Sequence, residues 1–143
     1  MSEGIKPSTG FWVISIIALL WNLLGLMAFA GMMVATPEMI SEQYGDAYGK
    51  IFAAKPAWAT GAFAIAVITG TLGCIGLLLR KSWSKILFIV SLIGIIIHNI
   101  WGVMAGTLAH VGTFDKIMTV VVMAIAVFLI WFANKKTTEG VLT

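Results

Sequence analysis

Three polar side chains stand deep inside otherwise apolar stretches of the chain: Asn22, His98 and Asn99. An amide offers both a donor and an acceptor, and a neutral imidazole offers one of each. In hydrocarbon, an unsatisfied amide costs several kcal/mol, so such groups must face other helices rather than lipid. Two chemistries fit them. They can join helices, at about 0.6 kcal/mol per contact, or they can line a path for a small polar solute or for water. His98 could further relay protons or supply one haem ligand. It is the only histidine within an apolar stretch, which rules out a bis-histidine haem in one chain.

Other potential ligands are sparse. His110 and Asp115 share a short polar segment, and two such groups fall short of a metal set, so solvated loop residues are the expectation and no metal or cofactor is assigned. The lone Cys74 lies in an apolar run, which excludes an internal disulfide and points to a small packing residue. No carboxylate falls within the apolar stretches, and no P-loop or nucleophile elbow is present. Paired acid–base chemistry is therefore not expected, and neither is an enzyme.

The elements that hold these residues follow from composition. Of the 143 residues, 60% are hydrophobic and 10% charged, against about 25% charged in ordinary soluble domains. Lipid must be the solvent for most of such a chain. The net charge of +3 is small and its basic residues flank apolar runs, so nucleic acid is not an expected partner. A bilayer core needs about 20 apolar residues of helix. The segments 11–35, 57–79, 86–106 and 117–133 meet that need, the last being the shortest. The first resembles a signal peptide in outline, but its apolar stretch is too long, and it reads as a retained helix.

Lys6, Arg80, Lys81, Lys85, Lys135 and Lys136 fall on one side of these spans, and Lys50, Lys55 and Lys116 on the other. The larger set predicts both termini in the cytoplasm of a multi-pass inner-membrane protein. Trp12, Trp83 and Trp131 then form an inner aromatic belt, with Trp58 at the outer interface. Between the first two spans, Ile40, Tyr44, Tyr48 and Phe52 recur every fourth residue, opposite Glu38, Glu42, Asp46 and Lys50. That spacing predicts an amphipathic outer helix over 37–53, with Thr36 as N-cap and Pro37 in the first turn. Gly45 and Gly49 weaken it by about 1 kcal/mol each, so it depends on packing.

The first and third spans match at the offset separating Asn22 from Asn99: WNLLGLMA (21–28) lies over HNIWGVMA (98–105). The shared Asn-x-x-Gly-x-Met-Ala predicts a duplicated two-helix hairpin about an axis along the membrane normal. His98 stands where the first copy has Trp21. In the second span, Ala59, Ala62, Ala66, Gly70 and Gly73 form a small-residue face suited to close helix packing, within the chain or against another subunit.

The layout of four spans with an outer segment after the first resembles the small bacterial DoxX-like membrane proteins. The stretch PAWATGAFAIAVITGTLGCIGLLLRKSW (56–83) also resembles short bacterial proteins often labelled sugar transporters. Transport is implied by that resemblance alone, and no functional residue is carried over from it. The expected fold is thus an all-α, up-and-down four-helix membrane bundle. Two functions compete: a carrier or channel-like component using Asn22, His98 and Asn99, or a non-catalytic accessory subunit or oligomeric scaffold. The partners implied are membrane lipid, a small polar solute, and either further copies of the chain or another membrane protein.

Overall fold

The apolar stretches fold as helices because, away from water, backbone N–H and C=O groups must satisfy one another within each segment. The structure, a computed structural model, describes residues 6–143. It runs α1 (Thr9–Val34), α2 (Pro37–Tyr44), α3 (Asp46–Ala53), α4 (Ala57–Leu78), α5 (Ser84–Ala105), a 3-10 turn (Thr107–Ala109) and α6 (Thr113–Thr138). Among the described residues, α1, α4, α5 and α6 are long and apolar enough to cross a membrane, making this an all-α integral membrane protein. The fourth spanning helix is longer than its apolar stretch implied. Its first turn carries Asp115 and its last turn Lys135 and Lys136, each complementing the helix dipole.

The four long helices form a curved row. α4 lies between α1 and α5, and α5 lies between α4 and α6. The α4–α5 seam is tightest, because small residues let the backbones approach. A Cβ added at Gly94 would stand 2.7 Å from the Ala62 carbonyl oxygen, and one at Gly73 would stand 2.6 Å from the Phe88 ring. Gly70 meets the Asn22 carboxamide of α1. The small-residue face of α4 therefore packs within the chain, with Ala62, Ala66 and Gly73 toward α5 and Gly70 toward α1.

α1 and α6 share no extended interface and meet near one end, where the Phe11 and Phe132 rings stack at 5.9 Å between centroids. This end carries both described ends of the chain and is called the terminal end below. The core lies here, with Phe11, Cys74, Leu77, Phe88, Leu129 and Phe132 all buried. The last residues close it. Val141 and Leu142 are buried, Arg80 Nε donates to the Val141 carbonyl at 3.1 Å, and the Thr143 amide donates to the Arg80 carbonyl at 3.0 Å. Arg80 adopts φ 59° at the end of α4, a left-handed conformation costing about 1–2 kcal/mol for a residue with a Cβ. Its bonds to the tail offset that cost.

At the opposite end, the single outer helix expected over 37–53 is instead two eight-residue helices. The Thr36 hydroxyl caps α2, accepting from the Met39 amide at 3.2 Å, with Pro37 in the first turn. Gly45 then takes φ 98° and ψ 161°, a region open essentially only to glycine, and ends the helix. Gly49 is buried against α2, where a Cβ would meet the Ser41 side chain and stand 3.1 Å from the Pro37 carbonyl oxygen. One glycine makes the bend and the other the close crossing. The local hydrophobic period specifies helix on both sides, and the backbone break at Gly45 divides it.

Candidate functional site

Because α1 and α6 converge only at the terminal end, a partly enclosed cavity of about 700 Å³ opens between the helices toward α2 and α3. Ligand sites commonly span about 300–1,000 Å³. Along α6 it is lined by Asp115, Met118, Thr119, Val122, Ile125, Ala126 and Leu129, one helical stripe. That stripe is about 21 Å long at 1.5 Å per residue. Phe88 and Leu129 form its floor, and the aromatic core behind them closes it toward the terminal end. Tyr44 and Tyr48 line its other end. The walls are mainly apolar, with a few polar groups at set positions.

Asn22, His98 and Asn99 all line this cavity. Asn22 comes from the middle of α1. Its Nδ2 donates to the Ala18 carbonyl oxygen at 2.9 Å and to Cys74 Sγ at 3.3 Å, while among the described residues no donor reaches its Oδ1. Asn99, on α5, donates Nδ2 to Met123 Sδ at 3.3 Å and also borders a shallow apolar groove of about 310 Å³ beside α6. The two amides do not bond to each other. Ser91 adds a hydroxyl beside Gly70 and donates to the Ala66 carbonyl at 2.7 Å.

His98 is held by its neighbours. Its ring is edge-on to Phe63 at 5.0 Å and tilted on Trp101 at 5.6 Å. Its Nε2 lies 2.9 Å from Lys55 Nζ. With the lysine ammonium as donor, Nε2 is the acceptor and the ring proton sits on Nδ1. That ammonium also contacts Met32 Sδ at 3.3 Å and lies 5.6 Å and 4.9 Å from the Phe63 and Trp101 ring centroids. Burial lowers its pKa from the usual lysine range to about 8.

Two charged residues thus belong to the site that the sequence reading left outside it. By its position in the sequence, Lys55 reads only as an outer-side charge and Asp115 as a loop residue. Lys55 instead turns back onto α5, while α6 begins early enough to bring Asp115 to the cavity wall. The only sequence signal for either is its position two residues before an apolar run. The Tyr44 and Tyr48 rings lie 5.0 Å apart at the same end. Burial raises both phenol pKa values; Asp115 raises both further, and Tyr44 adds to the rise at Tyr48. His110 is exposed and does not line the cavity. Among the described residues there is no cluster of three metal-ligating side chains. Cys74 is fully buried beside Asn22.

No protein-family model matches this chain. Neither a curated protein nor a solved structure matches it.

Proposed function

We propose that this integral membrane protein is a carrier or channel-like component for a small polar solute, which occupies the cavity between α1 and α6. One observation carries the reading: the three half-buried polar side chains within the spans converge on a single cavity. A bundle using amides only as glue needs no such space. The unoccupied acceptor of Asn22, the imidazole of His98 and the amide of Asn99 supply polar contacts against an apolar wall. Such a site holds one small molecule in a set orientation. Closure by Phe11, Phe88, Leu129 and Phe132 at the terminal end supports a carrier with one side shut over an open pore. The basic residues around the terminal end support its placement in the cytoplasm of an inner-membrane protein.

The competing reading is an accessory subunit or scaffold, with a helix of another protein or a second copy filling the gap. It is favoured by the lack of an extended α1–α6 interface and by the apolar outer face of α1, where Ile16, Leu20 and Met27 are exposed. Proteoliposomes containing this chain alone separate the two. Solute flux that is lost on substituting Asn22 or Asn99, with assembly preserved, supports the carrier. A chain that passes no solute and co-purifies with a membrane partner seated on α1 and α6 sinks it.

A further inference from the structure

We propose that the solute is a small monocarboxylate with an apolar body, and that the Lys55 ammonium is its counter-ion. This inference rests on the carrier reading and names the substrate class of the same site.

Four side chains contact the Lys55 ammonium: Met32 from α1, Phe63 from α4, and His98 and Trp101 from α5. All four line the cavity, so the charge sits at its edge. Every one of these partners is neutral or a ring face. Among the described residues, no carboxylate lies within ion-pair distance of Lys55. A cation drawn partly out of water and given only neutral acceptors gains most from an anion brought to it. The rest of the solute is set by the walls, which are apolar over most of the cavity, so an acid with a short hydrocarbon body fits better than a densely hydroxylated molecule.

Asp115 is the other charged residue on the wall. It lies on α6, and its field falls on the phenols of Tyr44 and Tyr48. It disfavours an acid beside α6 and leaves the Lys55 edge, against α5, as the place for a carboxylate. The site is a juxtaposition: an ammonium boxed by neutral cavity-lining groups, beside a largely apolar space, with the one wall carboxylate on α6 and outside ion-pair distance.

Hexanoate and hexanamide, alike in shape and differing in charge, are titrated against the protein in lipid nanodiscs. Fluorescence of Trp21 and Trp101, both on the cavity wall, reports binding. The expected result is that hexanoate binds about tenfold or more tightly than hexanamide. Lys55→Gln abolishes that preference, and Lys55→Arg keeps it. A parallel titration with palmitate decides the source. Palmitate binding without hexanoate binding, still lost in Lys55→Gln, upholds the counter-ion and makes the ligand a membrane fatty acid. Equal binding of acid and amide by the unmodified protein overturns the inference, whatever the fold of the variants. So does undiminished hexanoate binding by a Lys55→Gln protein with native helicity. Charge-selective binding without flux in proteoliposomes keeps the assignment and sinks the carrier. If no acid or amide perturbs either tryptophan, the carboxylate assignment falls, and flux of other solutes in proteoliposomes decides the carrier.

Discussion

Asn22 and Asn99 make the same kind of contact: each donates its Nδ2 to a sulfur 3.3 Å away on the next membrane-spanning helix, Asn22 to Cys74 of α4 and Asn99 to Met123 of α6. The two asparagines occupy matching positions in the repeated Asn-x-x-Gly-x-Met-Ala segments. Each therefore ties together one hairpin, α1 with α4 or α5 with α6. Sulfur is a weak acceptor, so each of these bonds is weaker than one to oxygen.

If these amides serve a solute, removing one should affect stability little and uptake strongly. Asn22→Leu and Asn99→Leu are each expected to lower unfolding free energy by about 0.6 kcal/mol and by no more than about 1.7 kcal/mol. Uptake into proteoliposomes is expected to fall roughly tenfold, matching loss of one hydrogen bond of about 1.4 kcal/mol. Denaturant titration in mixed micelles gives the first quantity and flux the second. A large stability loss with unchanged uptake per folded protein would assign both residues to packing.

Gly94→Ala and Gly61→Ala are expected to act in opposite directions. Both gain up to about 1 kcal/mol of helix propensity. At Gly94 the new methyl group meets the Ala62 backbone, which cannot swing away like a side-chain tip, so overpacking of about 1–3 kcal/mol prevails. At Gly61 nothing lies within 4 Å of the added atom, and the variant is expected to be at least as stable as the parent. Thermal melts of the purified proteins decide this, and a stabilised Gly94→Ala would contradict the close α4–α5 seam.

Gly45→Ala should loosen α2 and α3 without unfolding the bundle. The backbone there lies in a region costing other residues about 1–3 kcal/mol. The cost falls on the segment that carries Tyr44 and Tyr48. Amide exchange in α2 and α3 is expected to speed up about tenfold or more, with α4 and α5 unaffected. Unchanged exchange in α2 would show that one continuous helix is accessible at no cost.

Lys55 predicts a pH dependence whose sign can be worked out. Burial lowers its pKa in the fold to about 8, while in the unfolded chain lysine titrates near 10.4. Between those values the unfolded state binds more protons, so the Lys55 contribution to stability rises with pH and is least below about pH 8. The groups facing it are His98, Met32, Phe63 and Trp101, none of them acidic. Lys55→Met is therefore expected to be more stable than the parent at pH 7, with the difference shrinking toward pH 10. A difference that grows with pH would mean that the ammonium is stabilised in the fold.

Much of the architecture was legible in advance because it depends on local pattern. Runs of about 20 apolar residues specify spanning helices whatever surrounds them. Thr36 and Pro37 similarly mark the start of α2 through their own backbone chemistry. The outer segment shows the limit. The recurrence from Ile40 to Phe52 implied one helix, and Gly45 and Gly49 looked like simple propensity penalties. Which of them bends depends on the folding of α3 back onto α2, a contact between segments that no period reports. The same holds for Lys55 and Asp115. Their identities were plain, yet whether a side chain just outside a span points to water or to a cavity depends on the helices beside it.

By itself, the sequence determined that lipid surrounds this chain, that four helices cross it, and that Asn22, His98 and Asn99 are the conspicuous polar groups within those helices. Those outcomes follow from the transfer cost of each residue and need no knowledge of neighbours. Only the tertiary structure decided that α1 and α6 part above the Phe11–Phe132 contact, and that the three polar groups share the space between them. It alone brought Lys55 onto His98. These features arise from packing between residues far apart in the chain, where the shape of each helix surface, not its hydropathy, sets which faces can meet.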